Sequence, residues 1–202
     1  MSEHYYSRRP GTESRKETIE LDISGKSMPF WVDRGVFSRG GLDFGSRLLL
    51  ESWEAPSVDG PVLDAGCGWG PLGLTIASWC PEREVVLVDI NERSAELSRA
   101  NAERQRLGNV TVRQQNLMEG EEPGTYAAVV TNPPIRAGKD VVFQLYEGAW
   151  EVLRPGGVLY VVIQKKQGAP STKQKLQDLG FHVETKAKSK GYFIFAAEKT
   201  LT

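Results

Sequence analysis

The sequence predicts an α/β protein built on a mostly parallel sheet, with an antiparallel strand at one edge and a β-hairpin ahead of it. Three observations carry this reading. From residue 61 onward, short apolar runs alternate with helical patterns, as successive strand–helix units do. The last two extended segments are joined by a connection too short for a crossover, so at least one of them runs antiparallel. Residues 18–23 alternate with period two, Ser24-Gly25-Lys26-Ser27 offers a turn, and an extended pattern resumes over 28–32, which reads as a hairpin.

The elements follow in order. Residues 1–16 lack apolar periodicity and read as a loosely held tail. After the hairpin comes a glycine-broken loop, Gly35 to Gly41, then a short helix from Asp43 through Trp53 and a linker over 55–60. Val62-Leu63-Asp64-Ala65 is a short buried strand, and Pro71 sits in the first turn of a helix that runs to about Cys80. A second strand covers 84–89, a helix 93–107 stops at Gly108, and a third strand covers 110–114. The fourth strand spans 126–131 and is followed by a helix over 139–153. Arg154-Pro155-Gly156-Gly157 reads as a turn, 158–163 as the fifth strand, 170–179 as the last helix, and 181–186 and 191–198 as the closing strands. Helices on both faces of such a sheet make it Rossmann-like. The chain divides into the tail (1–16), a hairpin-and-helix extension (17–60) and the α/β domain (61–202).

Composition narrows the function. At 202 residues, 40% hydrophobic and 25% charged, the chain suits one globular domain rather than a disordered or fibrous protein. Two cysteines and two histidines cannot build a disulfide framework or a dedicated zinc site, so no metal is expected. No apolar run reaches the roughly 18 residues of a membrane span. The polar, mixed-charge start is unlike a secretory leader. A soluble, reduced, cytoplasmic protein is expected. The net charge of −1 hides a basic C-terminal stretch with Lys165, Lys166, Lys173, Lys175, Lys186, Lys188 and Lys190. Such a stretch is ordinarily a solvated face, and it is also able to meet a polyanion.

Asp64-Ala65-Gly66-Cys67-Gly68-Trp69-Gly70-Pro71-Leu72-Gly73 joins the first strand of the domain to its helix. Glycines there let the backbone bend tightly and let a ligand lie close to the chain, facing helix N–H groups. Gly68-x-Gly70-x-x-Gly73 with Asp89 formally meets a dinucleotide fingerprint. A second reading uses more residues. The acid at the strand end followed by Gly66-x-Gly68-x-Gly70 resembles motif I of class I S-adenosylmethionine-dependent methyltransferases. That resemblance implies S-adenosylmethionine as cofactor, with Asp64, Gly66, Gly68 and Gly70 around it. It places Asp89, with Ile90 beside it, on the ribose hydroxyls, and Asn116 near the adenine amine. A carboxylate suits a diol because it accepts both O–H hydrogens. Cys67 has no base near it in sequence and reads as a packed thiol; Trp69 reads as packing or as a shield over the cofactor. Cys80, His182 and His4 carry no motif.

Thr131-Asn132-Pro133-Pro134-Ile135 follows the fourth strand. Prolines fix φ and lack an N–H, so this turn is rigid and its exposed polar groups are largely carbonyls. The Asn132 side-chain oxygen and the Pro133 carbonyl can accept hydrogen bonds from a planar NH2 group. The turn resembles the Asn-Pro-Pro-aromatic motif of amino-methylating class I enzymes, which implies that Asn132, Pro133 and Pro134 form the catalytic turn and that Asn132 also borders the cofactor. Ile135 departs from it by offering an apolar surface where an aromatic ring would stack on a base. Arg136 and Lys139 supply cations suited to a phosphate, or to an exposed helix start.

One subgroup matches further. Gly35-Val36-Phe37-Ser38, then Leu42-Asp43-x-Gly45-Ser46-x-Leu48-Leu49-Leu50, then Asn-Pro-Pro-Ile with Arg136, Gly138 and Lys139, is similar to the RsmC-like family of 16S ribosomal RNA guanine-N2 methyltransferases. The resemblance implies ribosomal RNA or the small ribosomal subunit as partner, no membrane, and a substrate pocket with Phe37, Ile135, Arg136 and Lys139. It also implies that Asp43, Gly45 and Ser46 approach the methionine end of the cofactor. Several members of that family carry a second, degenerate domain that helps bind RNA, for which this chain is too short. RNA binding then falls to its own surface, a homodimer or another partner, and the oligomeric state stays open. Rival readings are a methyltransferase acting on a protein glutamine or a small-molecule nitrogen, and a non-catalytic S-adenosylmethionine-binding ribosome-assembly factor.

Overall fold

The computed structural model describes residues 16–33 and 41–200. The expected tail lies outside them except for Lys16, and so does the loop with Phe37. Strands β1 (Lys16–Ile23) and β2 (Lys26–Asp33) form the hairpin, turning on Ser24 and Gly25, both with left-handed φ (53° and 75°). The turn is two residues rather than four: Gly25 takes that conformation without steric cost, and Lys26 and Ser27 are freed to pair with Ile23 and Asp22. Helix α1 (Phe44–Glu51) starts where Asp43 Oδ1 accepts the Ser46 N–H at 3.0 Å, an N-cap that satisfies an otherwise orphan donor.

The main sheet has seven strands, β3 (Val62–Ala65), β4 (Val85–Asp89), β5 (Val110–Gln114), β6 (Tyr126–Thr131), β7 (Leu153–Gln164), β8 (Phe181–Ser189) and β9 (Tyr192–Lys199), in the order β5-β4-β3-β6-β7-β9-β8. All neighbours are parallel except those involving β9, which runs antiparallel to both β7 and β8. Four helices complete the domain: α2 (Pro71–Trp79), α3 (Glu92–Arg104), α4 (Lys139–Val152) and α5 (Ala169–Asp178). Period-two alternation divides the strand side chains between two cores. Val62, Leu87 and Val130 pack with the hairpin, α1, α2 and α3, whereas Leu63, Val86 and Val129 pack with α4 and α5. Phe30, Leu49 and Leu74 are fully excluded from solvent, so the hairpin and α1 share the first core with the sheet.

Three boundaries differ from expectation, the simplest being β8, which runs on to Ser189 rather than ending at 186 because it stays paired with β9 to the turn. Helix α3 ends at Arg104 rather than running to Leu107. Arg106 N–H bonds the Glu103 carbonyl and Leu107 N–H the Ala102 carbonyl, a Schellman closure in which Arg106 takes the left-handed position (φ 55°) that glycine usually fills. The expected turn at 154–157 lies within β7, which pairs with β6 at Leu153 and again from Val158 across a register shift. Among the described residues, no helix is long and apolar enough to cross a membrane.

Candidate active site

The C-terminal ends of β3, β4, β6 and β7 lie at one edge of the sheet, where the connections to following helices leave a crevice. It holds a pocket of about 430 Å³, within the usual range for small-molecule sites. The deep end is Asp64, the last but one residue of β3 and 1% exposed. Its Oδ2 accepts the Gly73 N–H at 2.8 Å, which ties β3 to the first turn of α2. Its Oδ1 is buried without a hydrogen-bond partner among the described residues. Burial pushes this carboxyl up to about 7, against the pull of the Gly73 N–H, and the nearby Asp89 charge adds to the rise.

Gly66, Gly68 and Gly70 all take left-handed φ (77°, 58° and 89°), which explains the glycine spacing. Gly73 serves packing instead: a Cβ there would lie 2.8 Å from Leu87 and 2.9 Å from Asp64 Oδ2. The Gly68 N–H donates to Asp89 Oδ2 at 2.8 Å, and the Asn91 N–H to Asp89 Oδ1 at 2.8 Å. Asp89 therefore holds the loop in shape, and each carboxylate oxygen keeps a further lone pair toward the pocket. Burial raises its pKa, and these two N–H donors, Asn91 first, hold the rise back. Cys67 and Trp69 are packed into the loop at 4% and 2% exposure; Trp69 meets Phe30 edge-on at 5.1 Å.

Asn132 follows β6 on the opposite wall. Its Nδ2 donates to Ser46 Oγ at 3.0 Å and to Asp43 Oδ2 at 3.3 Å. A carboxylate only accepts, so the Asp43 contact decides which end of the amide is nitrogen. Oδ1 is left as an acceptor at the pocket wall. The Pro133 carbonyl accepts the Ile135 N–H at 2.8 Å and retains one lone pair; the Pro134 carbonyl accepts the Ala137 N–H at 2.9 Å. These bonds close the turn into a short 3-10 segment, Ile135–Ala137.

The pocket thus brings together Asp64, Gly66, Gly68, Asp89, Ile90 and Asn116 on one side and Asn132, Pro133, Pro134, Ile135 and Arg136 on the other. Three expected residues stand elsewhere. Gly70 is off the pocket wall as the left-handed N-cap of α2, where a Cβ would fall 2.8 Å from Leu74. Lys139 lies off the pocket wall with its ammonium 5.0 Å from the Phe143 ring centre, because helix α4 carries it outward. Gly45 serves packing: a Cβ would fall 2.7 Å from the Tyr192 ring and 3.0 Å from Val162, so only glycine lets α1 approach β7 and β9. Phe37 lies outside the described residues. The sequence reading missed Leu117, Gln164, Gln167 and Tyr192, all on the wall. Leu117 stands beside Asn116 with a left-handed φ of 47°, a conformation no sequence pattern announces.

A sequence model of the methyltransferase small domain family matches residues 27–196. The chain belongs to this family. YbxB of Bacillus subtilis (strain 168), itself uncharacterized, is 48% identical over 200 residues, covering 98% of this chain and all of YbxB. Among solved structures, the T. thermophilus 16S rRNA N2 methyltransferase RsmC, in complex with AdoMet and guanosine, superimposes with a TM-score of 0.78 at 29% identity over 94% of this chain. The match takes in 52% of that protein, so this chain spans about half its length. A ribosomal protein L11 methylase from Lactobacillus delbrueckii subsp. bulgaricus gives a TM-score of 0.66 at 18% identity, covering 77% of this chain and 78% of that one, a likeness in fold alone. As a methyltransferase small domain protein, the chain is an S-adenosylmethionine-dependent methyltransferase. Its pocket fits that cofactor. The orphaned Asp64 oxygen complements a cation, Asp89 offers acceptors, and Ile90 and Leu117 give apolar walls beside Asn116.

Proposed function

We propose that this methyltransferase acts on the exocyclic N2 amine of a guanine in small-subunit ribosomal RNA. The observation that carries the reading is the Asn132 amide, whose nitrogen is occupied by Asp43 and Ser46 and whose oxygen is left to accept from an incoming NH2. Likeness to RsmC over nearly the whole chain supports the guanine and the RNA. Such an enzyme works in the cytoplasm, where its partner is ribosomal RNA or the small subunit itself.

Bound S-adenosylmethionine supplies an electrophilic methyl group on its sulfonium sulfur. Asp64 Oδ1 would receive the cationic amino-acid end, with the backbone from Gly66 to Trp69 beside it. Asp89 would take the ribose hydroxyls, Ile90 and Leu117 would offer the adenine apolar surface, and Asn116 would meet its amine. On the acceptor side, Asn132 Oδ1 and the remaining lone pair of the Pro133 carbonyl hold the two N2 hydrogens, which points the nitrogen lone pair at the methyl group. They also stabilise the positive charge that builds on nitrogen as the bond forms. After transfer the methylated nitrogen carries both of its original hydrogens and a positive charge, and one of them leaves to water as a proton, so no strong base is required. Pro134 keeps the turn rigid, Ile135 offers the base an apolar surface, and Arg136 faces its phosphate. A guanine inside paired RNA must first be flipped out or met while unpaired.

The test is methyl transfer from radiolabelled S-adenosylmethionine to undermethylated ribosomal RNA and small subunits, followed by nucleoside analysis. Label in N2-methylguanosine, lost in Asn132→Ala while cofactor binding persists, is the expected result. Label that survives RNase in a cell extract identifies a protein or small-molecule acceptor instead. Cofactor binding without turnover on any acceptor identifies a non-catalytic assembly factor.

A further inference from the structure

Six lysines of the C-terminal stretch, together with Lys199, are sorted by the fold into two groups. Lys186 is held by Glu54 at 3.0 Å and Glu184 at 3.1 Å, and Lys175 pairs with Glu147. Lys199 donates to the Trp150 and Leu153 carbonyls at 2.7 Å each, closing the end of α4. These three cations are engaged within the protein. Lys165, Lys166, Lys188 and Lys190 are exposed and, among the described residues, pair with no carboxylate.

The second group is gathered at one place, and sheet direction is the reason. Strand β9 runs antiparallel to β7, which puts its first residue, Tyr192, in register with Gln164, the last of β7. The β8–β9 turn therefore lies at the edge of the sheet where the pocket opens. Lys165 N–H donates to the Gly191 carbonyl at 2.8 Å, binding the short 3-10 segment Lys165–Gln167 to that turn. Lys190 sits over the Phe44 ring at 4.6 Å, Phe44 leans on Tyr192 with centroids 5.6 Å apart, and Lys188 sits over Phe193 at 5.0 Å. The basic rim thus runs without a break into the pocket wall through Tyr192, Gln164 and Gln167. The acidic side chains of the pocket, Asp64 and Asp89, are buried, and Asp43 is tied to Asn132 and the α1 cap.

We infer that this rim, Lys165, Lys166, Lys188 and Lys190, is the track for the sugar-phosphate backbone of an unpaired RNA strand whose target base enters the pocket beside it. The inference rests on the RNA reading above and deepens it. Exposed ammonium groups beside partly exposed aromatic rings are the composition that grips a single strand without reading its sequence.

The experiment compares the full chain with a Lys165→Gln/Lys166→Gln/Lys188→Gln/Lys190→Gln variant, with Lys175→Gln/Lys186→Gln as the ion-paired control. Glutamine keeps two of the four stem methylenes and a polar head while removing the charge. Binding of an unstructured, mixed-sequence RNA oligonucleotide is measured by fluorescence anisotropy across a salt series, with S-adenosylhomocysteine affinity recorded for each protein. The rim variant is expected to bind RNA about tenfold or more weakly, with a log–log salt slope shallower by about 3, since each single-strand phosphate contact carries about 0.7. S-adenosylhomocysteine affinity is expected to stay unchanged, and the control to match the wild type. An unchanged salt slope in the rim variant, or an equal loss in the control, overturns the track. If the wild type methylates RNA while the rim variant keeps the same KM for it, the track fails and the RNA reading survives. A wild type that neither binds nor methylates RNA, yet labels an acidic protein, overturns both.

Discussion

Asn132 Nδ2 donates to Ser46 Oγ at 3.0 Å, joining residues 86 positions apart: the proline turn after β6 and the first turn of α1. Asp43 completes the arrangement by capping α1 through Oδ1 while accepting from Asn132 through Oδ2. Ser46→Ala removes one of the two acceptors that orient the amide. Losing a hydrogen bond of about 1 kcal/mol predicts a fall in kcat of about fivefold, with cofactor affinity held. Asp43→Asn keeps a capping oxygen, so its Tm stays close to wild type while kcat falls. Steady-state kinetics beside a thermal melt separates the two effects; equal losses of Tm and kcat in Asp43→Asn would refute the positioning role.

Gly45 lies within α1, where alanine normally favours a helix by about 1 kcal/mol. Here the added Cβ would meet Tyr192 at 2.7 Å and Val162 at 3.0 Å, on a sheet held firmly by its ladder. Overpacking of this kind costs about 1–3 kcal/mol, so Gly45→Ala is expected to be net destabilising in urea unfolding and to disturb the wall that Tyr192 provides.

Asp64 has its carboxyl pKa raised from 3.8 to about 7 by burial. Between these values the folded protein holds a proton that the unfolded chain has released. The contribution of this group to stability is therefore present at low pH and declines as pH rises toward 7. Cofactor binding runs the other way, because a cationic ligand favours the ionised carboxylate. S-adenosylhomocysteine is expected to bind about tenfold more tightly at pH 8 than at pH 6, and Asp64→Asn to flatten that profile. Calorimetric titration over this range decides; a flat wild-type profile would remove Asp64 from the ligand's cationic end.

Cys67 lines the pocket yet is 4% exposed, and burial first, then the Asp89 and Asp64 charges, push its thiol pKa well above the usual value. It is expected to resist iodoacetamide at pH 8 in the folded protein and to react once unfolded, read by intact mass. Rapid alkylation of the native thiol would mean the glycine loop opens.

The glycine-loop half of the candidate pocket was legible in the sequence because it is local. Asp64, the glycines to Gly70 and Asp89 stand at the ends of adjacent parallel strands, and the left-handed φ at Gly66, Gly68 and Gly70 is a demand that residue type itself records. Asn132 was legible for a similar reason, as two prolines can stiffen only a turn. The role of Gly45 was not: its motif position resembled a cofactor contact, while its need is set by the Tyr192 ring, 147 residues on. Nor was the end of α3, where Arg106 occupies a left-handed position with no glycine to mark it.

By itself, the sequence determined the alternating strand–helix order, the glycine loop and the proline turn, all through short-range sterics and apolar periodicity. Tertiary structure decided what those elements face. The antiparallel course of β9 carries Tyr192 to the pocket and sets Lys188 and Lys190 beside Lys165 and Lys166 at the end of β7, and the seating of α1 on the sheet brings Asp43 and Ser46 to Asn132. Such pairings depend on strand order and on the register between distant segments. They are fixed by hydrogen-bond ladders and close packing across the whole sheet, which no local stretch of sequence encodes.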